Sequence, residues 1–345
     1  MSSSNNCISL IIPTWNRINA LIACLKEIYE NSPLINEYEI IICDSHSNDG
    51  TEKKVKDFVS RQNIKNLKII QCEHNNVSLK RNEGIKNSKF DYIVLLDDDC
   101  IPIGNYIENY QIEFGKNENK VISCGQYRTD ENKVKKSNYL RYRDSRNYSQ
   151  IGLNNKTTEE DIYLDYKRIV TGNLGFKKID ILSNGVFFNE NILGYGGEDV
   201  DWAWRLINNG FKLKKTDIKV FHNETSYSIS NYRLKHFHFS YGAMPFLIKF
   251  NYEAAKGLPT FFLEKRDNTL YDNLIFNLLR VLLNKWLVKI LELIALKTDK
   301  YKLLYSKTLF RIIILRSYID GILARKNNTL KQSDTRTSWY SKGYK

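Results

Sequence analysis

The sequence predicts an α/β fold in which a mostly parallel β-sheet carries helices on both faces and is followed by a helical C-terminal region. In residues 1–225, short apolar runs alternate with amphipathic stretches of helical period, which is the pattern of βαβ units whose crossovers cover both faces of a sheet. From residue 226 onward, long leucine-rich stretches replace runs of strand length. We therefore expect one domain at 1–225 and a basic, mainly helical region at 226–345.

The individual elements follow from periodicity and from the residues that flank each run. Apolar runs bounded by turn residues predict strands at 8–12, 38–43, 67–72, 92–96, 168–176 and 218–221. Helical periods predict helices that begin near residues 18, 52, 78, 179 and 198, and two long helices at 274–296 and 301–323. Residues 125–170 show little periodicity and are predicted to be long surface loops.

The composition is that of a globular protein with reduced cysteines. Hydrophobic residues make up 42% of the chain and aromatic residues 12%, which is enough for a core. All six cysteines precede residue 125 and show no CxxC pair, so we expect buried thiols in a cytosolic protein. The N-terminal sequence Met-Ser-Ser-Ser-Asn-Asn has neither the basic nor the apolar segment of a signal peptide, which also predicts a cytoplasmic location.

Three adjacent aspartates end the fourth predicted strand. Asp97, Asp98 and Asp99 follow the apolar run 92–96, and Pro102 ends the stretch. Carboxylates this close raise one another's pKa values unless a cation lies among them. Mg²⁺ is commonly held by one or two carboxylates together with substrate phosphates. Two interpretations remain open, namely a divalent metal site and an acidic turn that only solvates the end of the strand.

Other polar residues follow neighbouring strands at the same edge of the predicted sheet. Thr14 follows the first strand and Asp44 the second. Because ligands bind beyond the carboxyl ends of parallel strands, we expect both residues to converge with the triple aspartate. The sequence contains neither GxGxxG nor GxxxxGK[ST]. A nucleotide here would therefore be held by acids and a metal rather than by a common glycine-rich phosphate loop.

A second acidic cluster opens the helix near residue 198. Glu198, Asp199 and Asp201 follow a glycine-rich loop, and they could either cap the helix and oppose its dipole or face a ligand that the glycines allow to approach. His222 follows the last predicted strand. It is either a structural histidine or a further candidate metal ligand.

The positive charge of the chain lies entirely in its last third. Residues 1–225 carry 31 basic and 31 acidic side chains, whereas residues 226–345 carry 21 and 8, which accounts for the whole net charge of +13. The helix predicted at 274–296 is amphipathic, but its charged residues recur too often for a spanning helix. It could pack against the domain predicted at 1–225, lie on an anionic membrane surface, or do both. Nucleic acid is not expected as a partner, because the charges lie on leucine-rich helices.

Five short motifs together resemble a known family. They are Ile12-Pro13-Thr14-Trp15-Asn16-Arg17, the segment 44–51, Arg81-Asn82-Glu83-Gly84-Ile85, the segment 96–99, and Gly196-Gly197-Glu198-Asp199. Their order and spacing over residues 8–225 resemble a family 2 glycosyltransferase of the GT-A fold. The last motif also looks like the GGED-type segment of β1,4-galactosyltransferases and N-acetylgalactosaminyltransferases.

The resemblance implies a role for each matching position. Asp199 would be the general base, and the acceptor would contact Glu198, Gly197 and Trp202. Mn²⁺ or Mg²⁺ would be ligated by Asp99, Asp97 and His222. The nucleotide-sugar donor would be bound by Pro13, Thr14, Asn16, Arg17, Asp44, Arg81, Asp97 and Asp98.

The implied function is inverting transfer of a sugar such as Gal, GalNAc, Glc or GlcNAc from a nucleotide sugar, with UDP as the expected nucleotide. The acceptor would be a glycan or a polyprenyl-linked glycan in the synthesis of cell-surface polysaccharide or lipid-linked oligosaccharide. Two alternatives remain open, a sugar-nucleotide-binding protein without turnover and a nucleotidyltransferase. The enzyme would work in the cytoplasm, either free or on the inner face of the cell membrane.

Overall fold

The computed structural model describes residues 6–32, 37–116, 118–146, 163–223, 228–264 and 270–327. Contacts divide the chain into two compact units. The first unit comprises the described residues of Met1–Arg128, Asn147–Glu190 and Glu198–Glu224, and the second comprises those of Thr129–Arg146, Asn191–Gly197 and Thr225–Lys345. The last of these junctions lies between Glu224 and Thr225, next to the boundary predicted after residue 225, whereas two earlier segments also belong to the second unit. The predicted division into two domains stays a prediction.

One mixed sheet of eight strands forms the centre of the first unit. The strands are β1 (Ile8–Thr14), β2 (Tyr38–Asp44), β3 (Leu67–Gln71), β4 (Tyr92–Leu96), β5 (Cys100–Pro102), β6 (Val121–Arg128), β7 (Asn173–Lys177) and β8 (Lys212–His222), in the spatial order β3-β2-β1-β4-β7-β6-β8-β5. The pairs β3-β2, β2-β1, β1-β4 and β6-β8 are parallel, and the other three are antiparallel. The predicted α/β fold is confirmed.

Helices cover both faces of this sheet. They are α1 (Ile18–Asn31), α2 (Thr51–Arg61), α3 (Val77–Lys86), α4 (Tyr106–Phe114), α7 (Lys178–Asn184) and α8 (Glu198–Asn208). Successive side chains of a strand point to opposite faces of the sheet, and each face has its own apolar cluster. Leu10, for example, packs in one cluster and Ile11 in the other. Helices α1, α2 and α4 contribute to the first cluster, and α3, α7 and α8 to the second.

Strand β6 was not predicted, because its sequence hides the strand pattern. The register of β6 against β8 shifts between Cys124 and Gln126, and a bulge of this kind breaks the alternation of apolar and polar residues. Gly125 lies at the shift, where an added Cβ atom would come within 2.4 Å of the Asn173 side chain. The predicted loop 125–170 therefore begins within a strand, and its residues 147–162 lie outside the described part of the chain.

The described part of the second unit is helical. Its α-helices are α5 (Glu131–Lys136), α6 (Asn138–Asp144), α9 (Ile229–His238), α10 (Met244–Phe250), α11 (Tyr252–Lys256), α12 (Leu270–Leu282), α13 (Lys285–Thr298) and α14 (Lys307–Lys326). A π-helical turn at Phe239–Ala243 joins α9 to α10. The core of this unit includes Tyr139, Tyr142, Val288, Phe310 and Ile313, all buried.

The helix predicted at 274–296 is interrupted, and we correct that prediction to two helices. The side chain of Asn284 caps α13 by accepting a hydrogen bond from the N–H of Leu287. Buried Arg316 donates to the carbonyl of Leu283 at 2.6 Å, just beyond the end of α12. The second predicted helix, 301–323, begins later, at Lys307. Among the described residues, no helix combines the length and apolar character needed to cross a membrane.

Candidate active site

The carboxyl ends of β1, β2 and β4 bring the predicted polar residues to one edge of the sheet. Thr14 and Asp44 are direct partners in the register of β1 and β2, and Asp97 follows the last residue of β4. The Thr14 hydroxyl donates to Asp98 Oδ2 at 2.7 Å. The expected convergence of Thr14 with the triple aspartate is therefore present in the structure.

Arg17 neutralises two of the three aspartates. Its Nη1 atom lies 2.8 Å from Asp98 Oδ1, and its Nη2 atom lies 2.5 Å from Asp99 Oδ2. Burial raises the pKa of Asp98 to about 6, although Arg17 opposes the shift. Burial also acts on Asp99, but Arg17 and His222 outweigh it and hold the pKa of that carboxyl well below its usual range. The acidic turn therefore has a partly buried cationic partner and does not merely solvate the end of a strand.

Asp99 and His222 form the pair of side chains best suited to a divalent cation. Strand β5 pairs with β8 so that Cys100 faces His222, and His222 Nε2 lies 3.2 Å from Asp99 Oδ2. One carboxylate and one imidazole fit a cation whose other ligands come from donor phosphates and water. Arg17 lies on the same oxygen of Asp99, so a cation would bind there only after this guanidinium moved.

Asp97 contacts other side chains, and its role as a metal ligand stays a prediction. Its Oδ1 atom lies 3.3 Å from Arg81 Nη2, and its Oδ2 atom accepts a hydrogen bond from the Tyr127 hydroxyl at 3.2 Å. No cluster of three or more His, Cys, Asp or Glu side chains suited to a metal ion occurs within the described ranges. An added Cβ atom on Gly172 would lie 2.2 Å from Asp97 Oδ2, so a larger residue there would displace this carboxylate.

Arg81 connects the triple aspartate with the acidic start of α8. Besides Asp97, its guanidinium contacts Glu198 Oε1 at 3.3 Å and Asp199 Oδ1 at 3.4 Å. The Thr171 hydroxyl donates to the same Asp199 oxygen at 2.6 Å. Arg81 is buried, whereas 26% of the Asp199 side chain is exposed. The arrangement fixes the Asp199 carboxylate and leaves it within reach of a ligand from solvent.

Glu198 is the more deeply buried member of the acidic pair. Burial and the neighbouring Asp199 carboxylate raise the pKa of Glu198 to about 8, although Arg81 opposes the shift. Near neutral pH, Glu198 therefore retains a proton. A carboxyl group that keeps its proton beside a second carboxyl group is typical of acid–base sites.

We expect Glu198→Gln to reduce the pH dependence of folding stability. The pKa of Glu198 is about 8 in the folded protein, and that of a glutamate in the unfolded chain is about 4.3. The contribution of Glu198 to the free energy of unfolding is therefore fully present below about pH 4.3 and is lost as the pH rises through about 8. The melting temperature of the native protein should therefore fall more between pH 5 and pH 9 than that of the variant, by roughly the shift that a few kcal/mol produces. Glu73→Gln, at an exposed position, is the control, and equal slopes for Glu198→Gln and the native protein would refute the assignment.

Three other predicted donor residues line the same edge. Asp44 accepts from the N–H and hydroxyl of Ser47, and Asn16, at a φ of 53°, accepts from the N–H of Asn48. Pro13 is buried inside β1. These contacts hold the loops after β1 and β2 together, and binding of the donor by these residues stays a prediction.

Trp202 belongs to the core, which corrects its prediction as an acceptor contact. Its side chain is fully buried, stacks on Phe188 with ring centroids 4.3 Å apart, and donates from Nε1 to the carbonyl of Val186. Burying a large aromatic ring with its N–H satisfied stabilises the position of α8. Gly197 lies in the second unit with a φ of 95°, a conformation that favours glycine, and its acceptor contact stays a prediction.

Lys80, Tyr127 and Thr171 were missed in the sequence analysis. Lys80 Nζ donates to the carbonyl of Thr14 at 2.8 Å and to Asn75 Oδ1 at 2.7 Å, and burial lowers its pKa to about 8. Lys80 directly precedes the motif that begins at Arg81, and this position was the available signal. Tyr127 lies in the segment predicted as loops and Thr171 in the strand predicted at 168–176, and neither segment contains a motif that indicates a role.

Known proteins are similar in sequence to parts of this chain. Residues 9–171 match the family model Glycosyl transferase family 2. The chain is 30% identical over 220 residues to the dolichyl N-acetyl-alpha-D-glucosaminyl phosphate 3-beta-D-2,3-diacetamido-2,3-dideoxy-beta-D-glucuronosyltransferase of Methanococcus voltae, covering 60% of this chain and 64% of that relative. It is 25% identical over 243 residues to chondroitin synthase of Escherichia coli, covering 63% and 34%. These matches span less than two thirds of either relative.

A solved structure supports the fold over most of the chain. The mannosyltransferase PcManGT of Pyrobaculum calidifontis, solved in complex with GDP-Man and Mn²⁺, superposes with a TM-score of 0.56. The superposition covers 94% of this chain and 88% of that one, at 14% identity. At this identity the likeness concerns the fold alone.

Proposed function

We propose that this chain is an inverting, metal-dependent glycosyltransferase that moves a hexose from a nucleotide sugar, UDP-linked, to a glycan acceptor. The observation that carries the proposal is Arg81, which joins the triple aspartate to Glu198 and Asp199 in one site. The family match over residues 9–171 and the named transferases and synthases among the relatives support the reaction class. The same names favour an acceptor in surface-polysaccharide or lipid-linked oligosaccharide synthesis.

In the proposed reaction, Asp199 removes the proton from the acceptor hydroxyl as that oxygen attacks the anomeric carbon. Thr171 and Arg81 both donate to Asp199 Oδ1, which orients the carboxylate. The bond from the anomeric carbon to the diphosphate oxygen breaks on the opposite side, so the configuration inverts. A protonated Glu198 beside Asp199 keeps the negative charge on the base.

The leaving diphosphate requires positive charge. A divalent cation held by Asp99 and His222 would supply it by binding the phosphate oxygens. Arg17 would move from Asp99 to make room, and its guanidinium would then be available to the phosphates. The triple aspartate thus serves the leaving group, and the acidic start of α8 serves the acceptor.

The decisive experiment incubates a panel of UDP-, GDP- and dTDP-sugars with the full chain and Mn²⁺ and scores slow donor hydrolysis. We expect hydrolysis of one UDP-hexose and none without a divalent cation. Binding of a sugar nucleotide with neither hydrolysis nor transfer to an acceptor would favour the non-catalytic alternative. Release of pyrophosphate from a nucleoside triphosphate and a sugar phosphate would instead indicate a nucleotidyltransferase.

His222→Ala should weaken the binding of Mn²⁺ in the presence of UDP by about tenfold or more, since loss of groups that support a metal site typically costs 10- to 100-fold. Electron paramagnetic resonance of free Mn²⁺ measures this affinity without relying on turnover. The matched control is His74→Ala, because His74 lies in the same unit with 73% of its side chain exposed. Unchanged Mn²⁺ affinity in the His222 variant would remove this residue from the site.

A further inference from the structure

The second unit exposes apolar side chains along two helices and the turn that follows them. On α12 these are Leu274, Leu278, Val281 and Leu282, and on α13 they include Trp286 and Leu293. Leu303 and Leu304 continue the series in the turn Lys302–Leu304. We call these eight residues the apolar ridge. Trp286 is 74% exposed and Leu303 is fully exposed, which is unusual for side chains of this size.

The ridge is not the core-facing side of these helices. On α12, Leu274, Leu278 and Val281 recur at helical spacing, whereas Phe276 points to the other side and is buried. On α13, Trp286 and Leu293 are seven residues apart, and Val288 is buried on the opposite side. Each helix therefore has one apolar face in the core and a second apolar face in solvent. Packing within the described chain explains why the first of these faces is apolar, but it does not explain the apolar face in solvent.

The orientation of the ridge is fixed by polar contacts at the corner between α12 and α13. Arg316 donates to the carbonyl of Leu283 and forms an ion pair with Asp320, and Asn284 caps α13. These contacts set the corner between the helices. Trp286, in the first turn of α13, is therefore held in an exposed position next to the end of α12.

Positive charge surrounds the ridge. The exposed cations between residues 274 and 304 are Arg280, Lys285, Lys289, Lys297, Lys300 and Lys302. The two acids in that range are already bound, because Glu292 pairs with Arg233 and Asp299 accepts from the N–H of Tyr139. A second copy of this surface would bring cations against cations. Lipid phosphates would instead neutralise them.

A cavity of about 450 Å³ shares residues with this surface. Its lining includes the aromatic rings of Tyr139 and Phe310 as well as Lys297 and Lys300. Asp299 also lines the cavity, but the two lysines outnumber this acid, and an excess of cations suits a phosphate-bearing headgroup better than it suits a neutral one. The cavity therefore supports the same class of partner as the charges do.

We propose that the apolar ridge and its lysines bind the surface of an anionic lipid bilayer. The ridge would enter the boundary between headgroups and acyl chains, and the lysines would contact lipid phosphates, as in amphipathic helices that lie in a membrane interface. The proposal is independent of the transfer reaction, because no residue of the site described above contributes to it.

Vesicle flotation with the full chain tests the proposal. Vesicles of neutral phosphatidylcholine are compared with vesicles that also contain about one third phosphatidylglycerol. We expect the protein to float with the anionic vesicles and to dissociate at high salt. Leu303→Ser/Leu304→Ser should reduce binding at least tenfold, whereas Ile112→Ser, which changes an exposed apolar residue of the first unit, should not.

Lys285→Glu/Lys289→Glu should also weaken binding to anionic vesicles, by about fivefold or more for each lysine. Lys53→Glu/Lys54→Glu, on the exposed side of α2, is the matched control. Melting curves and donor hydrolysis in solution should be unchanged in all variants, which separates lost lipid binding from misfolding. The proposal would be overturned if the protein did not float with anionic vesicles. It would also be overturned if light scattering showed a dimer that Leu303→Ser/Leu304→Ser converted to a monomer.

Discussion

Asp199→Asn is expected to lower the rate of sugar transfer by about 10²- to 10⁴-fold, because a general base typically contributes that factor. The substitution retains the shape of the side chain and an oxygen that can accept from Thr171, so the position of α8 should not change. Nucleotide-sugar binding should be close to normal, since Asp98 and Asp99, which are proposed to serve the donor, are untouched. Initial rates with a matched donor and acceptor, together with calorimetric donor binding, give both quantities.

The control for this substitution is Asp57→Asn, which changes an exposed acid on α2 in the same way. Transfer by the control should equal that of the native protein. If Asp199→Asn retained near-native transfer, the base would have to be another group. If it lost donor binding as well as transfer, Asp199 would act on the donor side of the site.

The order of strands and helices in the first unit was predictable because it depends on local patterns. Apolar runs ended by polar turns mark β1, β2 and β4, and the position of Asp97 after β4 follows directly from the sequence. Strand β6 depends on pairing with distant segments and contains a bulge, so its local pattern was insufficient. The break at Asn284 likewise depends on Arg316, which lies on a later helix.

The site was predictable as a set of residues but not as a set of contacts. Motifs identified Arg81, Glu198 and Asp199, yet their contact across more than 110 residues of sequence appears only in the fold. Arg17 was predicted to contact the donor, and the structure pairs it with Asp99. Trp202 was assigned to the acceptor from its place beside the acidic motif, whereas burial of its ring determines its actual position.

Arg81→Met is expected to lower the free energy of unfolding of the first unit by about 1–3 kcal/mol, because Asp97 and Asp199 lose a charged hydrogen-bonding partner. Methionine fills much of the same volume, but these two carboxylates would then lack the compensating charge. Thermal unfolding should show the loss, and Arg61→Met, which alters an exposed arginine of α2, should show little.

The pH dependence of this effect distinguishes lost charge compensation from lost packing. Lowering the pH protonates the unpaired carboxylates, so the melting temperature of Arg81→Met should approach that of the native protein in mild acid. Adding Asp97→Asn to Arg81→Met should restore part of the stability at neutral pH, because one unpaired carboxylate is then absent. A loss of stability that neither mild acid nor Asp97→Asn relieves would mean that Arg81 acts through packing on Phe188, over whose ring its guanidinium lies at 5.3 Å.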